Sequence, residues 1–383
     1  MTDSTNTAGP LPTPTLHAEN GVLTLEGLPL TQIAEQFGTP TYVYSKAALT
    51  SAFEAWRQAL SGRKALVCYA VKANSNLGIL SVFAQLGAGF DIVSGGELAR
   101  VLAAGGRADR VVFPIALRVN PDVDPKTHPY ISTGLKGNKF GVAFADAQSL
   151  YRRAAALPNL HIAGIACHIG SQLLDPAPVA EAAQKLADLV DRLAIDGIVL
   201  EHIDLGGGLG IRYRDETPPS VAQYLAPLLK VFEGRKEELC FEPGRSLVGN
   251  AGLLLTRIEY LKPGETKNFA IVDAAMNDLA RPALYDAWHE VVEVVGREVP
   301  TQAYDIVGPI CESGDFLARG RELAVAEGDL LAILSAGAYG MTMSSNYNTR
   351  PRAAEVIVDG EQAHLVRARE SVSALFADEK PLG

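Results

Sequence analysis

The residue with the widest chemical reach in this chain is the lysine of Tyr69-Ala70-Val71-Lys72-Ala73-Asn74. Stripped of water, its amine becomes a nucleophile for a carbonyl. Cys167-His168-Ile169-Gly170-Ser171-Gln172 sets an imidazole where it can stack on a flat ring. In Asp204-Leu205-Gly206-Gly207-Gly208-Leu209-Gly210, three glycines let the backbone approach an anion and present N–H groups to a phosphate. Phe241-Glu242-Pro243-Gly244-Arg245 supplies a carboxylate. Such a group can keep a pyridinium nitrogen protonated, which makes pyridoxal phosphate a strong electron sink. Pro309-Ile310-Cys311-Glu312-Ser313-Gly314-Asp315 pairs a thiol acid with a carboxylate suited to a substrate ammonium, and Gly337-Ala338-Tyr339-Gly340-Met341 follows.

Each group has a plainer reading. Lys72 can snorkel to solvent, His168 can be a satisfied core histidine, and Glu242 can pair with Arg245 beside a turn. The glycines can form a tight turn. A dinucleotide fingerprint is the weaker competitor, because the first βα turn lacks GxGxxG. Cys311 can be an inert buried thiol. What favours chemistry is position. The apolar run Ala65 to Val71 is short, continuous and bounded by polar residues, so it reads as a buried strand ending at Lys72. Asp91, Arg118, His168, Asp204 and Glu242 each close a strand of their own. In a βα-barrel those ends share one face, the face that carries active sites.

The elements that must position these residues alternate. Ser45 caps a helix with Leu49, Phe53, Trp56 and Leu60 on one face. Helices are expected over Leu77 to Leu86, Glu97 to Ala104, within Val179 to Leu193, and near Val221 to Phe232. Strands are expected over Phe90 to Val93, Ile162 to Cys167, Ile198 to Asp204 and Leu239 to Glu242. Alternation of this kind means parallel βαβ units. Beyond Arg245 the strands run with few helices between, which indicates a mainly β domain. The strand near Val22 to Glu26 can pair into it. The expected division is a disordered tail at 1–20, a barrel over 39–245, and a β domain from 21–38 and 246–383.

With 383 residues, 48% apolar and 20% charged, the chain has a globular composition. A net charge of −10 without a basic block argues against nucleic acid and anionic membranes as partners. No apolar run reaches spanning length. The four cysteines are isolated and the seven histidines form no ligand cluster, so a cytoplasmic location is expected and a metal is not.

In order and wording the six motifs quoted above resemble the diaminopimelate decarboxylases, of the alanine-racemase-like fold type of pyridoxal-phosphate enzymes. The resemblance runs from about Gly21 to the C-terminus. It implies a TIM-like βα-barrel with a C-terminal β domain, and a homodimer with active sites at its interface. It implies that Lys72 carries pyridoxal 5'-phosphate through its amine and that His168 stacks on the ring. It gives Ser171, Gly206, Gly207 and Gly208 to the phosphate, Gly244 and Arg245 to the cofactor, and Glu242 to the ring nitrogen. Arg245, Arg281, Tyr285 and Tyr339 would contact substrate, Tyr339 also the cofactor, while Cys311 and Glu312 would reach in from the other subunit. The reaction implied is loss of CO2 from meso-2,6-diaminopimelate to give L-lysine, with Cys311 returning a proton to carbon. An ornithine- or arginine-type decarboxylase of the same fold is the alternative substrate class. A catalytically impaired cofactor-binding relative is the alternative outside it.

The chain departs from the family at Phe113-Pro114. There the strand at Val111 to Phe113 abuts the one at Ile115 to Asn120, without the intervening strand and helix units. Strands ending at Lys72, Val93, Val119, His168, Asp204 and Glu242 make six, where a closed barrel takes eight. Pro114 argues against one continuous strand through this stretch. The shortfall is on the order of 40 residues, at roughly 30 per βα unit.

Overall fold

A continuous apolar run can be a strand only where both sheet faces are covered. Ala65–Ala70 (β1) meets that condition, with Cys68 and Tyr69 fully buried. The computed structural model describes residues 11–112, 117–124 and 140–382. Its chain divides into one unit of residues 50–211 and 216–247 and another of residues 1–49, 212–215 and 248–383.

In the first unit β1 is followed by β2 (Gly89–Asp91), β3 (Val111–Val112), β4 (Leu117–Asn120) and β5 (Val142–Ala143). Then come β6 (Gly164–Ala166), β7 (His202–Asp204) and β8 (Glu238–Phe241). Every pairing is parallel, and the order across the sheet is β3-β2-β1-β8-β7-β6-β4-β5. The helices between strands begin on side-chain caps. Asn76 accepts from the Gly78 N–H at 2.8 Å, Ser94 from the Glu97 N–H at 3.2 Å, and Ser220 forms a capping box with Gln223. Helix Ala177–Ile195 buries a stripe through Val179, Ala183, Leu186, Val190 and Leu193 against the unit's core.

The sheet is the expected parallel wall, but it has eight strands, not six. Val111–Val112 and Leu117–Asn120 are separate, because β3 pairs with β2 and β4 pairs with β6. Val142–Ala143 adds a short partner to β4. Among the described residues no ladder joins β3 to β4 or β5, so the wall does not close there. The junction Phe113-Pro114 itself lies outside the described residues, as do the first ten residues of the expected tail.

The second unit is mainly β. Its nine-stranded sheet has at its centre Thr41–Ser45, fully buried, antiparallel to Gly252–Lys262 and parallel to Ala354–Asp359. This corrects the expected barrel boundary at residue 39. Tyr42, Val43 and Tyr44 have no exposed face, so the segment is an interior strand of the β unit. Leu16–Glu19, placed by expectation in a disordered tail, is a strand paired with Val22–Leu25, and Leu16 sits in the apolar core with Leu25, Ile33, Val43 and Leu253. Val22–Leu25 lies in a small three-stranded sheet of its own and meets the rest of the unit through a bridge to Val295 and through Leu23 and Leu25 in the shared core.

Candidate functional site

Lys72 lies in the single turn Val71–Ala73 that follows β1, and Asp91 is the last residue of β2. Parallel pairing of these strands brings the two together, with Lys72 Nζ 3.0 Å from Asp91 Oδ2. The lysine side chain is 47% exposed and the aspartate 2%. The sequence suggested an amine stripped of water. The structure instead has a half-exposed Lys72 whose nitrogen is within hydrogen-bond reach of the buried Asp91, an arrangement that aims it.

Two more carboxylates sit at neighbouring strand ends. Asp204 ends β7 and accepts from the Gly206 N–H at 2.7 Å. Glu242 follows β8 and is hydrogen-bonded to Asp204. Burial pushes Asp204 up to about 6. Burial, followed by the charges of Asp204 and Asp91, holds Glu242 well above the ordinary carboxylate range. The pair therefore shares a proton, with Glu242 as its main holder.

His168 follows β6 and is fully neutral at physiological pH. Burial lowers it to about 3, helped by the charges of Arg118 and Lys72. Its Nδ1 accepts from the Gly207 N–H at 3.3 Å, which leaves the proton on Nε2. Arg118, the second residue of β4, donates to the His168 carbonyl at 3.0 Å.

The glycine triplet is required by close packing. A Cβ at Gly206 would meet His168 Nδ1 at 2.6 Å, and one at Gly207 would collide with the Glu242 carbonyl. Gly206 and Gly208 also take φ of +66° and +112°. The loops after β6 and β7 are zipped by Leu173 N–H to Gly208 O at 2.8 Å and Gly210 N–H to Leu173 O at 2.9 Å. Since the N–H groups of Gly206 and Gly207 are engaged by Asp204 and His168, the triplet serves first as clearance. Ser171 Oγ, which accepts from Arg245 Nε and Nη2 at 3.3 Å each, stands on the same loop after β6. A Cβ at Gly244 would lie 3.1 Å from the Cβ atoms of Ala70 and Ala73.

This donor set fits a phosphorylated pyridine aldehyde such as pyridoxal phosphate. It offers an amine, a carboxylate pair carrying a proton for a basic ring nitrogen, a neutral flat imidazole, and a cradle that any Cβ would fill. Asp91, Asp204 and Arg118 were visible in the sequence as strand-end residues but carried no assigned role. Their partners become apparent only when strands far apart in sequence are laid side by side. Among the described residues no group of three or more His, Cys, Asp or Glu is placed to hold a metal.

The remaining predicted residues belong to the β unit. Arg281 opens the short helix Arg281–Tyr285, is buried, and bonds His289 Nε2 at 3.0 Å, with its guanidinium 4.7 Å from the Tyr213 ring centre. Tyr285, at the end of that helix, is part-exposed. Cys311 and Glu312 are exposed on a loop fixed by Asp315, whose carboxylate accepts from the Met276 and Ile310 N–H groups at 2.7 and 2.8 Å. Cys311 is thus not the buried thiol of the plainer reading, whereas Cys68, Cys167 and Cys240 are buried. Tyr339 holds φ of +55°, a strained backbone of the kind found at binding sites.

The pyridoxal-dependent decarboxylase family, in its pyridoxal binding domain, matches residues 46–114 and 114–249. A diaminopimelate decarboxylase from Pseudomonas fluorescens is 57% identical over 406 residues, covering 94% of this chain and 98% of the relative. One from Pseudomonas aeruginosa is 56% identical over 400 residues, covering 93% and 96%. The crystal structure of diaminopimelate decarboxylase from Helicobacter pylori complexed with L-lysine superposes with a TM-score of 0.87 at 37% identity, covering 91% of this chain and 99% of that one. Both Pseudomonas alignments exceed the part of this chain they include by about 45 residues, and the family match is split at residue 114.

Proposed function

The chain belongs to the pyridoxal-dependent decarboxylases and, within them, to the diaminopimelate decarboxylases, and from that premise we propose how its residues divide the work of converting meso-2,6-diaminopimelate to L-lysine and CO2. Pyridoxal phosphate, when bound, supplies the sink for the electron pair that the departing carboxylate leaves on carbon. Lys72 holds the cofactor covalently through Nζ, with Asp91 aiming that nitrogen. Glu242, backed by Asp204, keeps a proton at the ring-nitrogen end. Neutral His168 lies flat against the ring, with no charge to oppose it. Ser171, Gly208, Gly244 and Arg245 take the phosphate end, and Gly206 and Gly207 give it clearance.

Arg281 and Arg245 suit a distal carboxylate through forked hydrogen bonds, and Glu312 suits a distal ammonium. Tyr285 and Tyr339 line the substrate. The Cys311 thiol returns a proton to the carbon that has lost CO2. Exposure of Cys311 and Glu312 on a rigid loop supports their use by a second copy of the chain, in a homodimer with shared sites. Cysteines without a disulfide support a cytoplasmic location. Among the described residues no helix is long and apolar enough to cross a membrane.

The observation that carries this reading is the Lys72–Asp91 contact beside the Asp204–Glu242 pair. Borohydride reduction of the loaded protein should fix pyridoxyl label on the peptide containing Lys72, and Lys72→Ala should abolish it. Label on a different lysine would end the assignment.

A further inference from the structure

An arginine that reads a carboxylate by a fork must be held still, because its long side chain has much rotamer freedom to lose. Arg281 is buried in the β unit. Two contacts within that unit fix its guanidinium, and one of them comes from His289, to which the sequence assigned no role.

His289 has no exposed surface. It stands just before strand Val291–Glu293, which runs antiparallel to Leu330–Ile333. The ladder continues one step past their ends, where the Leu334 N–H donates to the Glu290 carbonyl at 2.8 Å. That pairing sets the Leu334 carbonyl 2.9 Å from His289 Nδ1. A carbonyl only accepts, so Nδ1 carries a proton. Arg281 Nη1 lies 3.0 Å from Nε2, and a guanidinium only donates, so Nε2 accepts. The two contacts admit one state of the ring, neutral with its proton on Nδ1. The backbone is held as well, since the His289 carbonyl accepts from Arg321 Nη2 at 2.9 Å. The Tyr213 ring meets the imidazole edge to face, 5.4 Å between centres, and the same ring carries the Arg281 guanidinium.

Arg281 is thus fixed in its plane by Nε2 and across its plane by the Tyr213 face. Neither of these contacts is with a carboxylate. A carboxylate in place of the imidazole would hold the guanidinium too, but would meet its charge before the substrate did. We propose that His289 is a positioning residue: through Nε2, together with the Tyr213 ring, it holds Arg281 in the pose that receives the substrate carboxylate remote from the reacting carbon, and so sets selectivity for a diamino acid over a diamine. The inference rests on the reading of Arg281 as the contact for that carboxylate.

L-Lysine keeps the remote carboxylate, and 1,5-diaminopentane is the same chain without it. Calorimetric titration of each into the protein loaded with pyridoxal phosphate therefore reads the contact without turnover. His289→Asn can keep the bond to Leu334 but is too short to reach Arg281. It should weaken L-lysine about tenfold or more and leave 1,5-diaminopentane within about twofold, the scale of one lost hydrogen bond to a charged group. His289→Gln, whose amide oxygen can stand where Nε2 does, should restore most of the L-lysine affinity. In CO2 release, His289→Asn should raise KM for diaminopimelate with kcat little changed. In an Arg281→Ala background it should add nothing. Unchanged L-lysine binding by His289→Asn would overturn the proposal, as would equal weakening of both ligands or a further loss beside Arg281→Ala. If Arg281→Ala itself weakens both ligands alike, or neither, the reading of Arg281 fails and takes the proposal with it. If Arg281→Ala weakens L-lysine alone and His289→Asn does not, only the proposal fails. Nitrogen NMR of the unmodified protein, with the His289 signals assigned by their loss in His289→Gln, is a second measurement that needs no stable variant without the acceptor. A neutral ring protonated on Nδ1 at neutral pH is expected, and a proton on Nε2 would overturn the proposal.

Discussion

Asp204 stands between two parts of the site, fixing the Gly206 N–H with one oxygen and sharing a proton with Glu242. Asp204→Asn should weaken pyridoxal phosphate binding about tenfold or more, on the scale of a lost charge-assisted hydrogen bond, and should change its pH dependence. Equilibrium titration of the cofactor at pH 6 to 9 reads both. His168 gives a signed prediction for the unliganded protein. Its folded value near 3 lies below the unfolded 6.5, so the unfolded chain binds the extra proton and stability falls as pH drops from about 6.5 toward 3. His168→Gln should remove that loss, gaining about 2 kcal/mol on the wild type at pH 5 relative to pH 7.5 in urea melts. Asp204 acts in the opposite sense. Its value near 6 means the folded chain holds the proton longer, and its contribution falls as pH rises from about 4 to 6. Arg281→Ala should cost roughly 2–4 kcal/mol in kcat/KM for diaminopimelate. Equal turnover of ornithine by the unmodified protein would shift the substrate class. At this scale the sequence made the candidates visible, because a lysine, histidine or glutamate closing an apolar strand is conspicuous. It was silent on pairing: nothing in Asp91 or Asp204 says which cation or carboxyl it will meet.

Among the elements, the loops after β6 and β7 depend on glycine for contact distance. Gly207→Ala places a methyl against the Glu242 carbonyl, and overpacking of this kind costs about 1–3 kcal/mol. Loss of melting temperature and of cofactor affinity should come together, since the displaced carbonyl belongs to the residue at the ring-nitrogen end. Long periodic elements were legible. The helix with Leu49, Phe53, Trp56 and Leu60 on one face is Lys46–Ala59, with Ser45 Oγ accepting from the Ala48 N–H at 2.9 Å. Short ones were not. Val142–Ala143 is too brief to show a period, and Thr41–Ser45, buried on both faces, shows no alternation to mark it as a strand. The strand count fell short, six where the sheet has eight, because Val111–Val112 was merged with Leu117–Asn120 and Val142–Ala143 was missed.

For the whole molecule, the shared-site proposal is tested by mixing. Lys72→Ala and Cys311→Ala proteins should each be nearly inactive, and hybrids formed by exchange should recover about a quarter of wild-type activity if assortment is statistical and sites act independently. No recovery despite demonstrated exchange would place Cys311 outside a shared site. The open wall bears on stability. Folded domains hold only about 5–15 kcal/mol in reserve, so inserting the family-like segment after Phe113 should raise the melting temperature by at least ~5 °C and increase cofactor occupancy and CO2 release. Equal melting, occupancy and turnover would mean that the wall closes without it. The central strand of the β unit has a consequence in time. Thr41–Ser45 is among the first segments to leave the ribosome, yet one of its two neighbours, Ala354–Val358, is made about 310 residues later. At about 5–20 residues per second the nascent strand waits roughly 15–60 s with an edge unpaired. The intervening barrel unit can fold during that wait, so the cell meets a half-built protein in which an early strand is among the last to be enclosed. Ribosome-bound chains halted before residue 354 should therefore expose Tyr42 and Tyr44 to protease, and released full-length chains should not.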